Sequence, residues 1–258
     1  MSATDAHARG ASWVNARFTA GNPRLRLICL PQSGGGATAF TGWRPHLPEG
    51  VELAPVELPG RGSRMAEPVM GEFGPLLDAL LDGLRGELDS PYALFGHSFG
   101  ALLAYELALR TERDGLPSPA ALFVSGSRAP QVPLGRAAVA GSSDEELAGW
   151  LLRTGGLPRE LQDHPDFLRE ILRAVRADMA MAERYHVPEP LPVGCPLLAL
   201  AGRDDEVSPP RAVAAWSSCT TAVHRTALVP GGHSYPRTHP RETVRAVREG
   251  LALAGIGL

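Results

Sequence analysis

The sequence predicts an α/β fold: a mostly parallel central sheet, helices on both faces and one helical insertion. Short apolar runs alternate with helical patterns along most of the 258 residues, the rhythm of βαβ units. The apolar runs are continuous rather than alternating, so both sheet faces are expected to be covered. The rhythm breaks once, over residues 131–192.

Strands are expected at 26–30, 51–58, 92–96, 120–125, 196–201 and 223–229. Each is a short run rich in Leu, Val, Ile, Phe or Ala. Helices are expected at 72–88, 99–113, 210–217 and 241–254. The insertion carries two helical patterns, 144–153 and 165–184, with no strand between them. Ser143 or Asp144 is placed to cap the first. Four prolines in 187–196 give a stiff return to the sheet. Residues 1–258 therefore read as one domain, with 131–192 as a helical lid over the C-terminal edge of the sheet.

Composition removes several function classes. The net charge is −3, which is no nucleic-acid footprint. All 25 basic residues are Arg, so no Schiff-base lysine, Walker-A lysine or Ser-Lys dyad is possible. Cys29, Cys195 and Cys219 show no C-x-x-C spacing, so buried, reduced thiols in a cytoplasmic protein are expected, with no metal and no cofactor. Met1 to Trp13 holds no apolar h-region, and no apolar run reaches membrane-spanning length.

The chemistry concentrates at Gly96-His97-Ser98-Phe99-Gly100, a G-x-S-x-G placed between an apolar strand and an Ala/Leu-rich helix. This context sets Ser98 on a sharp strand-to-helix turn as a nucleophile. Gly96 and Gly100 allow the two backbones to approach. A base is needed, and His233 in Val229-Pro230-Gly231-Gly232-His233 follows the last strand on a Gly-rich loop. His97 neighbours the nucleophile but belongs to the opposite strand face, so it is expected to shape the turn.

An orienting carboxylate is sought just past the 196–201 strand, where Asp204 and Asp205 compete. Asp204 is favoured, because it lies three residues before Val207, an apolar anchor for the loop. The oxyanion donors are expected to be the N–H of Phe99 and an amide of the Gln32-Ser33-Gly34-Gly35-Gly36 loop. The order Ser98, Asp204, His233 is that of the α/β-hydrolases.

These residues resemble the stand-alone type II thioesterases of polyketide and nonribosomal peptide synthesis. Leu27 to Gly35 resembles that family's F-P-H-A-G-G loop, and Leu58-Pro59-Gly60-Arg61-Gly62-Ser63-Arg64 its L-P-G-R-x-x-R segment. Arg176-Ala177-Asp178 with Tyr185 resembles its R-x-D…Y signature, and Gly231-Gly232-His233 its G-G-H. Gln32 and Ser33 stand where the family has His-Ala, and Pro236 follows the histidine closely.

The resemblance implies Ser98 as nucleophile, His233 as base, Asp204 as acid, and the Ser33 and Phe99 amides as the hole. It implies hydrolysis of acyl thioesters on the phosphopantetheine arm of an acyl or peptidyl carrier protein, with neither nucleic acid nor membrane as partner. Met179, Met181, Leu147, Leu151 and Leu152 are candidates for an acyl chamber or for lid packing. Arg128 and Arg136 are candidates for a carrier dock. A generic esterase or lipase, a chain-releasing terminal thioesterase and a non-catalytic binding protein are the competing readings. A monomer is the default state.

Overall fold

A computed structural model describes residues 12–19, 21–89 and 91–257. The leader read as free of a targeting signal lies, through residue 11, outside the described residues.

The strands are β1 (Phe18–Thr19), β2 (Leu25–Leu30), β3 (Val51–Pro55), β4 (Tyr92–His97), β5 (Leu122–Ser125), β6 (Leu197–Gly202) and β7 (His224–Val229). They form one seven-stranded sheet in the order β1-β3-β2-β4-β5-β6-β7. All neighbours pair in parallel except β1 with β3. The helices are α1 (Phe73–Leu84), α2 (Phe99–Arg113), α3 (Asp144–Thr154), α4 (Pro165–Arg184), α5 (Pro210–Ala214), α6 (Tyr235–Thr238) and α7 (Pro240–Leu253). The two-residue β1 and a ten-residue 3-10 helix at Ala37–His46 were not expected. That helix carries Pro45, yet buries Phe40 and Trp43 against Phe95 of β4.

The inner strands β2 to β6 are buried on both faces, which explains their continuous apolarity, whereas the edge strands β1 and β7 are largely half-buried or exposed. In β2, Leu25, Leu27 and Cys29 pack with α7 residues such as Val244 and Val247, while Ile28 and Leu30 pack with Leu80 of α1 and Leu103 of α2. In β4, Tyr92 and Leu94 share the second face, and Ala93 and Phe95 the first.

Residues 131–192 contain α3 and α4 and no strand of the sheet. Ser143, rather than Asp144, caps α3: its hydroxyl accepts from the Glu146 amide, and Glu146 accepts from the Ser143 amide. Gly155 ends that helix with φ +73°. Leu147, Leu151, Val175 and Met179 join α3 to α4 in a small core of their own.

The order in which strands are laid down reverses at β2, because β3 lies on one side of β2 and β4 on the other. In open α/β sheets the crevice beyond such a point is where ligands bind. The loops leaving β2, β4, β6 and β7 all converge at this carboxyl edge.

Candidate active site

Ser98 follows β4 with φ 54° and ψ −116°. It is the one non-glycine residue at positive φ among the described residues. Such backbone is strained and persists only where the surroundings enforce it. A Cβ on Gly96 would collide with the Gly100 carbonyl, and one on Gly100 with the Leu30 carbonyl. Glycine is therefore required on both sides of the turn, as the motif implied. The Ser98 amide donates to the Ser125 carbonyl at 2.8 Å, tying the turn to β5.

His233 reaches Ser98 across the sheet edge, with Nε2 3.1 Å from Oγ. Its Nδ1 lies 2.9 Å from Oδ2 of Asp205, not of Asp204. This corrects the sequence-based choice of acid. The reason is local: the Asp205 amide donates to the Gly202 carbonyl at 3.2 Å, closing a turn that directs Asp205 inward. Oδ1 of Asp205 then accepts from the amides of Val207 and Ser208 at 2.8 and 2.9 Å. The useful signal was the two-residue spacing of an Asx turn, Asp205 to Val207, rather than the three-residue spacing from Asp204. Asp204 is exposed and contributes only its amide, which donates to the Gly231 carbonyl at 3.0 Å.

His97 is buried with its ring centroid 5.1 Å from that of His233. Its Nδ1 meets Ser125 Oγ at 3.0 Å, Ser125 meets the Tyr235 hydroxyl, and that hydroxyl donates to the Leu200 carbonyl at 2.9 Å. A carbonyl only accepts, so the direction of the chain is set: Ser125 donates to Tyr235, and His97 donates its Nδ1–H to Ser125. Burial and the neighbouring His233 push the His97 pKa down to about 3. His97 is thus a neutral wall of the site and adds no second positive charge beside His233.

The Ser33 and Phe99 amides make no hydrogen bond to protein acceptors among the described residues. Ser33, Ser98 and His233 line one cleft with Trp150 and Leu151 of α3 and Met179 of α4. Its exposed lining is mainly apolar. Of the chamber candidates, Leu151 and Met179 reach this cleft, whereas Leu147 and Met181 are core residues and Leu152 packs against the core shared by α3 and α4.

The Thioesterase domain family model matches residues 25–251. The chain belongs to this thioesterase family. It is similar to the gramicidin S biosynthesis protein GrsT of Aneurinibacillus migulanus, with 30% identity over 86% of this chain and 87% of that one. Among solved structures, it is similar to the RedJ thioesterase of the prodiginine pathway in Streptomyces coelicolor, with 38% identity, a TM-score of 0.79, and 88% and 85% of the two chains covered. The type II thioesterase BorB of the borrelidin cluster is 33% identical, with a TM-score of 0.78, and 95% and 98% covered.

The arginines of the thioesterase divide by burial. Arg61 is buried and pairs with the fully buried Asp178 of α4. Burial raises the Asp178 pKa, while Arg61 and the Gly34 amide oppose that rise. Arg64 donates to the Glu57 carbonyl at 3.0 Å, binds Glu67 and covers the Trp13 ring, so it is structural. Arg176 ties α4 to the Ala140 and Ser142 carbonyls and to Asp144. The Tyr185 hydroxyl donates to Glu106.

Arg128 and Arg136 do not present the basic dock expected of them. Arg128 donates to the carbonyls of Val132, Ala182 and Tyr185, capping the end of α4. Arg136 pairs with Glu183 at 3.0 Å and lies over the Trp150 ring.

The three cysteines are buried and unpaired, and burial pushes the Cys195 and Cys219 thiols up to about 12 and 11. Thiols so raised are poor nucleophiles. Among the described residues, no helix is long and apolar enough to cross a membrane.

Proposed function

We propose that this thioesterase hydrolyses acyl groups from the phosphopantetheine arm of an acyl or peptidyl carrier protein, clearing stalled or aberrant chains. The observation that carries the reading is the continuous Ser98–His233–Asp205 hydrogen-bond chain on a strained turn. The biosynthetic relatives supply the substrate class.

In the first half-reaction, Ser98 Oγ gives its proton to His233 Nε2 and attacks the thioester carbonyl. The imidazolium so formed is stabilised by Asp205, which also holds the tautomer. The negative oxygen lies between the Ser33 and Phe99 amides, each such donor being worth about 3 kcal/mol. The C–S bond breaks and the thiol leaves with the His233 proton. A thiol has a pKa near 8–9, so its departure needs less help than an amine's. In the second half-reaction, water gives a proton to His233 and attacks the acyl-Ser98 ester. The C–Oγ bond then breaks, Ser98 recovers its proton and the acid is released.

Within the 131–192 insertion of a single domain, α3 and α4 serve as the lid, and Leu151 and Met179 meet the acyl chain. The test is mass spectrometry of products from a panel of acylated carriers, short and long, branched and straight, beside matched oxygen esters. Faster release from carriers supports the reading. A strong preference for oxygen esters assigns a general esterase instead, and a cyclic product assigns a chain-releasing enzyme.

A further inference from the structure

The Gly34 amide donates to Oδ2 of Asp178 at 2.8 Å, linking the Gly-rich loop after β2 to helix α4 across 144 residues of sequence. Oδ2 also receives Arg61 Nη1, and Oδ1 receives Nη2 at 3.2 Å. The Asp178 side chain is 0% exposed and that of Arg61 6%. A carboxylate this deep requires a paired cation to remain an anion.

We propose that the Arg61–Asp178 pair positions the oxyanion hole, using a buried carboxylate on α4 to fix the peptide that follows Ser33. The inference rests on the reading of Ser33 as an oxyanion donor. The Gly34 N–H belongs to the Ser33–Gly34 peptide, so a charged acceptor fixes the plane next to the donor. Hydrogen bonds to ionised acceptors are roughly twice as strong as neutral ones.

The loop is held from its other side by a turn, the Gly35 amide donating to the Gln32 carbonyl at 2.8 Å. Gly34 has φ +69°, and a Cβ there would collide with Val175, three residues before Asp178 on the same helix. Helix α4 therefore meets the loop at one residue twice, by packing and by charge. Arg61 comes from the Pro59-Gly60-Arg61 segment and donates to the Pro59 carbonyl. Three separate segments thus set one amide of the hole, and the lid helix is one of them.

The test compares wild type with the double variant Arg61→Met/Asp178→Leu, which removes both buried charges together and leaves no orphan ion. Active sites are titrated with a fluorophosphonate, so that misfolded protein does not count. Turnover is measured on an acyl-N-acetylcysteamine thioester and on a p-nitrophenyl ester. Binding of an alkyl boronic acid, whose tetrahedral adduct directs an oxygen to the hole, is measured in parallel.

The expected result is a kcat per titrated site lower by about 10-fold or more, a KM within about threefold, and a boronate Ki raised by the factor by which kcat/KM falls. A merely structural pair would lower the titratable fraction and leave these constants unchanged. A double-variant kcat per site within about twofold of wild type, or a raised KM with kcat held, overturns the proposal. If the double variant yields no titratable site, Asp178→Asn is read by the same criteria, with a smaller kcat loss of about threefold or more expected from the weakened bond. Wild type active on the ester but not on the thioester would overturn the thioesterase reading alone, and the ester arm would still test the pair.

Discussion

The Asp205 carboxylate lies 2.9 Å from His233 Nδ1, while its neighbour Asp204 faces solvent. Asp205→Asn should therefore lower kcat by a factor on the order of 10²–10⁴, because the amide no longer holds the productive tautomer. Asp204→Asn should remain within about twofold of wild type. Steady-state hydrolysis of one acyl thioester by both variants checks this. Equal losses would show that Asp205 has no special role.

Gly100 admits no side chain, since a Cβ there would meet the Leu30 and Pro31 carbonyls. Backbone cannot yield as a flexible side chain can, so Gly100→Ala should cost about 3 kcal/mol or more. A chemical-denaturation midpoint equal to that of wild type would contradict the tight strand–helix approach at Ser98.

His97 is held neutral, with its pKa lowered to about 3 by burial. In the unfolded chain a histidine titrates near 6.5. Below about pH 6.5 the unfolded state binds more protons, so the stability from neutral His97 is complete above that pH. It is lost as pH falls through the window down to about 3, by up to about 1.4 kcal/mol per pH unit. Asp178, raised by burial, has the opposite sign. The diagnostic quantity is therefore the difference between wild type and His97→Asn. Urea midpoints between about pH 6 and pH 4 should fall less steeply in the variant. Parallel curves would mean that His97 is protonated in the folded state.

Arg128 satisfies three carbonyls at the α4 terminus and its vicinity. Arg128→Met should cost about 1–3 kcal/mol in stability through the acceptors left unpaired. Its KM for an acylated carrier should stay within about twofold of wild type. A large KM increase without a change in melting temperature would restore Arg128 as a docking residue.

The parts legible in the sequence were those governed by local rules. Continuous apolar runs announced β2, β4, β5 and β6, and the G-x-S-x-G context placed Ser98 at the turn. The 3-10 helix at Ala37–His46 escaped because Pro45 interrupts any α-helical pattern, and only the tertiary fit of Phe40 and Trp43 to Phe95 explains it. Asp204 and Asp205 are equivalent by composition; the Asx-turn spacing from Asp205 to Val207 and the turn that begins at Gly202 are what separate them. The Arg61–Asp178 contact spans 117 residues, and no local pattern announces a pairing of that range.

The most direct test of the central claim is rapid-quench mass spectrometry of the enzyme mixed with an acylated carrier, with multiple-turnover hydrolysis followed in wild type and Ser98→Ala. A transient acyl adduct is expected on the peptide containing Ser98, together with a loss of turnover in Ser98→Ala of about 10³-fold or more. Undiminished hydrolysis by Ser98→Ala, or an adduct located on another residue, would contradict that claim.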